Sequence, residues 1–347
     1  MRRTLAACAA LLLASPFFAA DPAPPKADDY PHVVLKNDKL KLTLYEPDAD
    51  KGFYRGTRFD RAGVFGNVEF AGHKIFGPWK GGHDPANHDD IIGPCAEFGI
   101  DSPLGYDDAK AGGTFLKIGV GELEKPKEAK YSFANKYKVV KPLEWKPLPK
   151  PLINVFNFNF DLLPGWKAKQ SANGYDYAYE KGIWLAETDA VIVVVHTLKN
   201  TGKKRIITDF YNHNFFNVDG DAVGPNYSFA FPCEVKAQDL KGKFGDLVEL
   251  KGKELRFKDK IPNGVDVMAT LTGFDAKDEK HRTFEMRHAP SGVTVKVEHS
   301  YPFAKFNVWG IKTTICPEPY LAIDLKPGEE TTWYIGYLFT HEPPAKK

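Results

Sequence analysis

The chain has 347 residues and carries 47 Lys and Arg against 45 Asp and Glu, a formal net charge of +2. Because the two signs are interspersed along its length, the basic face of a nucleic-acid binder is missing and nucleic acid is not expected as a partner. No apolar run after residue 20 is long enough to span a bilayer, so no membrane span is expected either.

The first 20 residues have the composition of a secretory signal. Arg2 and Arg3 form a charged start, an alanine- and leucine-rich run follows over residues 5–13, and small residues lead to Ala20. We therefore expect residues 1–20 to be a signal peptide, and the mature protein to be periplasmic or extracellular with a net charge of zero after the two arginines are removed. The proline-rich residues 21–29 predict a disordered lead, and residues 30–342 predict a single domain.

Short alternating runs predict β-strands through most of that domain. Leu40, Leu42 and Leu44 alternate with polar residues, which places the leucines on one buried face. Comparable runs occupy residues 64–75, 115–120, 131–140, 153–160, 175–179, 265–271, 283–286, 293–297 and 333–339. Helical spacing of apolar residues is not sustained anywhere, so the sequence predicts an all-β sandwich or barrel.

Residues 77–113 interrupt this pattern with a stretch rich in glycine, proline, histidine and aspartate, which predicts long loops that carry function. Within it, the cluster His83, Asp84, His88, Asp89 and Asp90 is open to three interpretations: metal ligands, histidines that contact a substrate, or ordinary surface groups. Its spacing is not diagnostic of a metal site, so no metal is expected.

Two residues stand in contexts that suit proton transfer. His213 lies in the aromatic run 208–220, after a β-branched run at 191–195 and a turn at 200–204 that together predict a hairpin. Glu318 lies between Pro317 and Pro319, where a rigid, apolar setting would raise the pKa of a carboxyl group. A general acid and a general base are the functional interpretations, and a packing histidine and an edge-strand charge are the alternatives.

Several other chemistries are excluded. The sequence contains no Gly-x-Ser-x-Gly, no phosphate-binding Gly-x-x-x-x-Gly-Lys and no Cys-x-x-Cys, so serine hydrolases and nucleotide enzymes are not expected. Cys95, Cys233 and Cys316 remain after the signal, an odd number that leaves at least one thiol unpaired.

Residues 212–218, Asn-His-Asn-Phe-Phe-Asn-Val, resemble the Asn-His-x-Tyr-Phe-Asn-Leu signature of the aldose 1-epimerase, or galactose mutarotase-like, family. About 100 residues later, Glu318 and the stretch 325–329, Leu-Lys-Pro-Gly-Glu, resemble that family's catalytic glutamate strand and its Leu-x-Pro-Gly-Glu ending. The similarity extends over most of residues 30–341. Residues 54–60, Tyr-Arg-Gly-Thr-Arg-Phe-Asp, also resemble a sequence shared by uncharacterised secreted bacterial members.

The resemblance implies a large antiparallel β-supersandwich and an acid–base opening of a sugar ring. Glu318 would remove the proton of the anomeric hydroxyl, and His213 would protonate the ring oxygen. The two groups would lie on opposite sides of one sugar, and no cofactor would be required. The partner would be a carbohydrate, either a monosaccharide or the end of an oligosaccharide.

The resemblance also suggests sugar contacts. Family members carry an earlier histidine in a Leu-His-Gly-Gly context, and either His83 or His88 could take its place. Asn212 belongs to the histidine motif, and Arg58 could bind sugar oxygens or pair with Asp60 or Glu97.

Trp79 and Trp309 could stack on a sugar face or be buried in the core. Two rival functions stay open beside the mutarotase-like enzyme. One is a carbohydrate-binding β-sandwich without turnover, and the other is a polysaccharide lyase-like enzyme, because one fold can host several chemistries.

Overall fold

The computed structural model describes residues 26–127, 130–148, 160–161 and 164–343. The expected signal peptide and the predicted strand at 153–159 lie outside these residues, as does most of the expected lead. Its end, Ala27–Asp29, forms a short 3-10 helix. Within the described residues, no helix is long and apolar enough to cross a bilayer.

The described residues form 24 strands, one short α-helix, α1, at Phe244–Leu247, and three 3-10 helices, at Ala27–Asp29, Val218–Gly220 and Glu279–His281. In chain order the strands are β1 (His32–Lys36), β2 (Leu40–Tyr45), β3 (Val64–Phe70), β4 (His73–Lys74), β5 (Cys95–Phe98), β6 (Thr114–Lys117), β7 (Gly121–Glu124), β8 (Val139–Pro142), β9 (Lys146–Pro147), β10 (Phe160–Asp161), β11 (Gly165–Ala172), β12 (Tyr175–Ala186), β13 (Val191–Asn200), β14 (Ile206–His213), β15 (Tyr227–Ala230), β16 (Lys236–Gly242), β17 (Val248–Lys251), β18 (Glu254–Phe257), β19 (Asp266–Thr272), β20 (Thr283–His288), β21 (Val293–His299), β22 (Lys305–Ile311), β23 (Thr314–Leu325) and β24 (Glu330–His341).

These strands pair antiparallel in four sheets, and the two largest form the body of the protein. The 11-stranded sheet runs β17-β18-β15-β20-β21-β24-β13-β12-β11-β9, with β10 paired to β12, and the six-stranded sheet runs β16-β19-β22-β23-β14-β5. They pack face to face, because Phe210 of β14 contacts Trp333 of β24 at 4.9 Å between ring centroids. The prediction of a large all-β, antiparallel sandwich is confirmed.

Strand alternation divides the side chains of β14 between the two faces of its sheet. Phe210 and Asn212 point toward the 11-stranded sheet, where Asn212 Nδ2 donates a hydrogen bond to the Tyr337 hydroxyl at 3.0 Å. Tyr211 and His213 therefore point to the opposite face of the six-stranded sheet. We call this the outer face, and it is covered near His213 by N-terminal segments that include Phe59.

The predicted hairpin of residues 191–216 is wrong. β13 belongs to the 11-stranded sheet, between β12 and β24, whereas β14 belongs to the six-stranded sheet. The intervening turn instead carries the chain from one sheet to the other. Buried Asn200 stabilises this crossing, because its Nδ2 donates to the carbonyl oxygens of Lys204 and Leu325 at 2.8 and 2.9 Å.

Two other local predictions need correction. The stretch 77–113 is not loop throughout, because Cys95–Phe98 form β5, the edge strand of the six-stranded sheet. All four β5 residues are buried and pair with β14, so tertiary packing overrides a loop-like composition. The strand predicted over 131–140 begins only at Val139, as β8.

β23 is a central strand that contains two prolines on either side of Glu318. A proline has no N–H to donate to a neighbouring strand, so prolines are rare in such positions. The regular pairing between β14 and β23 stops at Tyr211 and Tyr320, short of these prolines. The Asn214 side chain occupies the gap and donates to the carbonyl oxygen of Pro317 at 2.6 Å.

Candidate active site

Glu318 and His213 are in direct contact on the outer face of the six-stranded sheet. Glu318 Oε1 lies 3.1 Å from His213 Nε2, and the two residues are 5 % and 4 % exposed. The register explains the contact, since Tyr211 pairs with Tyr320 and each catalytic candidate lies two residues further along, on the same face. The sequence-based expectation that the groups flank one sugar is thus not met, because no sugar ring fits between two atoms at this distance.

Burial changes the proton affinity of both groups in opposite directions. It raises the pKa of Glu318 to about 7, against an opposing effect of the Arg58 guanidinium. Burial, and then the positive charge of Arg58, hold the pKa of His213 well below its usual range. A carboxyl group of raised pKa beside an imidazole of lowered pKa can share one proton near neutrality, and the two titrate as a pair.

Aromatic rings orient the imidazole of His213. The Phe215 ring stacks on it at 3.9 Å, and the Phe59 and Trp309 rings meet it edge-on at 5.8 and 5.5 Å. Phe215 has a positive φ of 40°, an uncommon conformation for a residue with a side chain, and it is the second residue after the end of β14. Among the described residues, His213 Nδ1 has no hydrogen-bond partner, so packing and Glu318 fix the ring.

A second polar cluster lies beside the pair and centres on Glu97 of β5. Glu97 Oε2 accepts hydrogen bonds from Arg58 Nε at 2.8 Å and from the Tyr211 hydroxyl at 2.5 Å, while Lys117 Nζ lies 3.0 Å from Oε1. Burial alone would raise the pKa of Glu97, but Arg58 and Lys117 outweigh it and keep that pKa below its usual value. Glu97 is therefore a permanent anion, in contrast to Glu318.

Of the two structural partners proposed for Arg58, Glu97 is the one found. Asp60 instead pairs with Lys181 Nζ at 3.3 Å. The Arg58 guanidinium also packs against two rings, at 4.4 Å from the Phe59 centroid and 4.2 Å from that of the exposed Phe133. Arg58 thus connects the buried Glu97 cluster to the surface next to His213.

The two histidines of the 77–113 stretch differ in setting. Both ring nitrogens of His83 have partners, Asp90 at 2.9 Å and the Phe53 carbonyl oxygen at 2.8 Å, and its ring stacks on Phe53. His88 is half-buried, and its ring centroid lies 6.4 Å from that of Phe133. Burial lowers the pKa of His88, Asp89 opposes this effect, and the positive charge of Arg58 adds to it. His88 is therefore the histidine associated with the Arg58 side of the site.

The remaining sequence candidates also differ in whether they lie near the Glu318–His213 pair. Trp309 is partly exposed beside His213, whereas Trp79 is buried, donates its indole N–H to the Ile91 carbonyl at 2.8 Å and stacks on Phe215. Asn212 lies on the opposite face of β14, toward Tyr337. The structure brings Glu318, His213, Trp309 and Arg58 together, and it does not bring Asn212 or His83 to the pair.

Several neighbours of the Glu318–His213 pair are not predicted by the sequence motifs. Asn307 of β22 lies directly opposite Glu318, and the Tyr320 hydroxyl lies 3.5 Å from Glu318 Oε2. The Tyr320 ring stacks on Tyr211 at 4.3 Å. Strand alternation could have identified Tyr211 and Tyr320, because each lies two residues from a catalytic candidate.

The arrangement is suited to proton transfer. In the part of the chain that the structure describes, no group of three or more His, Cys, Asp or Glu side chains converges on a point where a metal ion could sit. The acids and bases of the 77–113 stretch instead pair with protein groups, such as Lys80 with Asp89. All three cysteines of the described residues are free and buried.

Comparison with solved structures identifies the architecture. Over 94 % of its length the chain superposes on all of the Slr1438 protein from Synechocystis sp. PCC 6803, with a TM-score of 0.54 and 13 % sequence identity. A galactose mutarotase-like protein from Clostridium acetobutylicum matches with a TM-score of 0.53 and 12 % identity, over 92 % of this chain and 97 % of that one.

A proposed aldose 1-epimerase from Escherichia coli K12 matches with a TM-score of 0.52 and 12 % identity, over 90 % of this chain and 99 % of that one. This chain has the galactose mutarotase-like fold. The resemblance seen in the sequence is therefore confirmed for the fold. No protein-family model matches the chain. No curated protein matches it either.

Proposed function

We propose that this galactose mutarotase-like protein interconverts the anomers of an aldose by acid–base opening and closing of the sugar ring. The observation that carries the proposal is the contact between Glu318 and His213 at 3.1 Å. Ring opening removes a proton from the anomeric hydroxyl and adds one to the ring oxygen. Both oxygens are bonded to C1, so an acid and a base that touch each other can act on them from one side of the sugar.

The proton balance closes over one cycle. The ionised form of the pair, a Glu318 carboxylate with a His213 imidazolium, accepts the hydroxyl proton on Glu318 and releases one from His213 Nε2 to the ring oxygen. The products are the open-chain aldehyde and the neutral form of the pair. After rotation about C1–C2, closure runs the same transfers in reverse and restores the ionised form with the other anomer.

The opposed pKa shifts of the two groups support this cycle. Because burial raises the pKa of Glu318 and lowers that of His213, the neutral form of the pair is favoured at rest. The ionised form differs from it only by a proton shift across the 3.1 Å contact between Glu318 Oε1 and His213 Nε2, so no proton is taken from solvent. Arg58 favours the carboxylate form of Glu318 but disfavours the imidazolium form of His213, so its charge acts on both groups of the pair.

The surroundings of the pair suit a sugar. Trp309 offers a partly exposed aromatic surface next to His213, and aromatic rings pack well against the C–H face of a pyranose. Arg58 and His88, which both lie near the exposed Phe133, offer polar groups for hydroxyl oxygens. We do not assign substrate contacts to His83 or Asn212, whose side chains are engaged elsewhere.

Exchange NMR at anomeric equilibrium tests the proposal. Catalysis should produce exchange cross-peaks between the α and β anomeric protons of glucose or galactose, above those of a protein-free sample. A carbohydrate-binding module would broaden or shift sugar signals without faster exchange. Sugar binding without exchange would therefore favour the binding module over the enzyme.

A further inference from the structure

A row of polar side chains crosses the outer face of the six-stranded sheet and ends at the catalytic pair. Gln238 of β16 lies opposite Thr270 of β19, Thr270 opposite Asn307 of β22, and Asn307 opposite Glu318 of β23. Residues that pair across antiparallel strands project from the same face, so these side chains form one line. Their exposure falls along it, from exposed Gln238 through half-buried Thr270 to buried Asn307.

A groove of about 710 Å³ lies over the outer part of this row. Its floor includes Gln238, Thr270 and Asn307, and Lys241 and Lys305 line it as well. It adjoins the catalytic pair, because Asn307 pairs with Glu318 and because Lys305 Nζ lies 4.6 Å over the ring of Tyr320, which contacts Glu318. The Thr270 hydroxyl donates to Asn307 Oδ1 at 3.1 Å, which fixes the amide at the junction.

From the exposed groove and the polar row we infer that the protein acts on the reducing end of an oligosaccharide, whose further sugar units lie in the groove toward β16. This inference rests on the proposed function for the identity of the ligand as a sugar. From β23 to β16 the row crosses three inter-strand spacings, roughly 14 Å in all, which exceeds one hexose ring and fits about two or three linked units.

The chemistry of the groove suits linked sugars. Amide and hydroxyl side chains both donate and accept hydrogen bonds, as a ring of sugar hydroxyls requires. Phe274 and Phe303 form a partly exposed aromatic wall at one end, with 5.2 Å between ring centroids. A volume of about 710 Å³ lies within the usual range of roughly 300–1,000 Å³ for ligand sites.

The test compares sugars of increasing length. Exchange NMR should give kcat/KM for glucose, for cellobiose and cellotriose, and for maltose and maltotriose. We expect at least one trisaccharide to exceed glucose by about tenfold or more, mainly through a lower KM. The double variant Gln238→Ala with Lys241→Ala changes only β16, and it should reduce the ratio of trisaccharide to glucose kcat/KM by about tenfold.

One control variant and one second measurement accompany the double variant. Lys251→Ala alters an exposed lysine of β17, in the other large sheet, and should leave that ratio at the wild-type value. If the double variant does not fold, calorimetry with Glu318→Gln gives a second measurement, in which the preferred trisaccharide should bind more tightly than glucose.

The outcomes separate this inference from the proposed function. If glucose is interconverted and neither trisaccharide is preferred, the inference is wrong and the mutarotase function stands. The same holds if the double variant leaves the ratio unchanged. If no sugar is interconverted, but a trisaccharide binds more tightly than glucose and loses that advantage in the double variant, the groove is supported and the proposed function fails.

Discussion

Arg58 Nε donates a hydrogen bond to Glu97 Oε2 at 2.8 Å, and this buried ion pair lies beside the catalytic candidates. Arg58 Nη2 also lies 3.0 Å from the hydroxyl of Tyr211, the residue that stacks on Tyr320. Burying a guanidinium and a carboxylate costs free energy that only close contacts offset. The Arg58–Glu97 pair therefore contributes to the stability of the six-stranded sheet, and the Arg58 charge also affects the pKa values of Glu318 and His213.

Replacement of Arg58 by methionine tests that link. The variant leaves Glu97 buried with one cation fewer, so the free energy of unfolding should fall by about 3 kcal/mol. Since Arg58 lowers the pKa of both Glu318 and His213, its loss should move the pH profile of activity to higher pH. Urea unfolding and kcat/KM against pH measure the two effects.

Arg205→Met provides the matched control for this variant. Arg205 forms an ion pair with Asp324 on the surface, where solvent screens the charges, so its loss should change stability little. If Arg58→Met and Arg205→Met had the same free energy of unfolding, the buried Arg58–Glu97 pair would not stabilise the fold, contrary to the prediction.

The Glu318–His213 pair should give a bell-shaped dependence of kcat/KM on pH. The active form holds one proton between Glu318 and His213, and this proton is lost as pH rises through about 7, the pKa of Glu318. A second proton binds only well below pH 6.5, because burial depresses the pKa of His213. After subtraction of the uncatalysed rate, kcat/KM should decline above about pH 7 and on the acid side only well below pH 6.5. A kcat/KM that climbs steadily from pH 7 to 9 would contradict the shared proton.

Glu318→Gln should stabilise the fold at alkaline pH. The folded pKa of Glu318, about 7, lies above its usual value of 4.5, so the folded state binds more protons than the unfolded state between these values. Stability is therefore lost as pH rises through this window, by up to roughly 3 kcal/mol. Urea unfolding of both proteins at pH 4 and pH 8 measures the difference. A stability gain of Glu318→Gln that did not grow with pH would refute the raised pKa.

Export of the protein follows as a proposal from the sequence of residues 1–20. The charged start and the apolar run predict cleavage near Ala20, so the mature N-terminus should lie close to Asp21. Intact-mass spectrometry of protein isolated from the cell envelope or the medium checks this. Recovery of the chain with Met1 intact would overturn the proposal.

Strand alternation and two short motifs predicted much of this molecule. The leucines of β2 and the β-branched residues of β13 signal strands through local chemistry alone, so their prediction needed no tertiary information. The residues around His213 and Glu318 predict these two as candidates for an acid and a base. Their contact depends on the register of β14 against β23, two strands about 100 residues apart, which local patterns do not encode.

The wrong predictions arise because local sequence patterns do not encode which distant strands pair with each other. The turn after β13 has hairpin chemistry, but the two strands it joins bury their side chains in different sheets. Glu97 lies in a polar stretch that looks like loop, and only its pairing with Tyr211 of β14 makes it part of a buried strand. Arg58 and Asp60 lie two residues apart outside the strands, yet Arg58 contacts Glu97 of β5 and Asp60 contacts Lys181 of β12, a division of partners that no local pattern encodes.

In the proposed function, anomer interconversion depends on the Glu318 carboxylate as the base. Polarimetry of freshly dissolved α-glucose and α-galactose should show acceleration by the wild type, with the uncatalysed rate subtracted. Glu318→Gln keeps the size of the side chain and removes its basic oxygen, so the catalysed rate should fall about a hundredfold or more, and His213→Asn should act likewise. Glu249→Gln, at an exposed position on β17, should match the wild type. A wild type that does not accelerate interconversion, or a fully active Glu318→Gln, would contradict the role of Glu318 as the base.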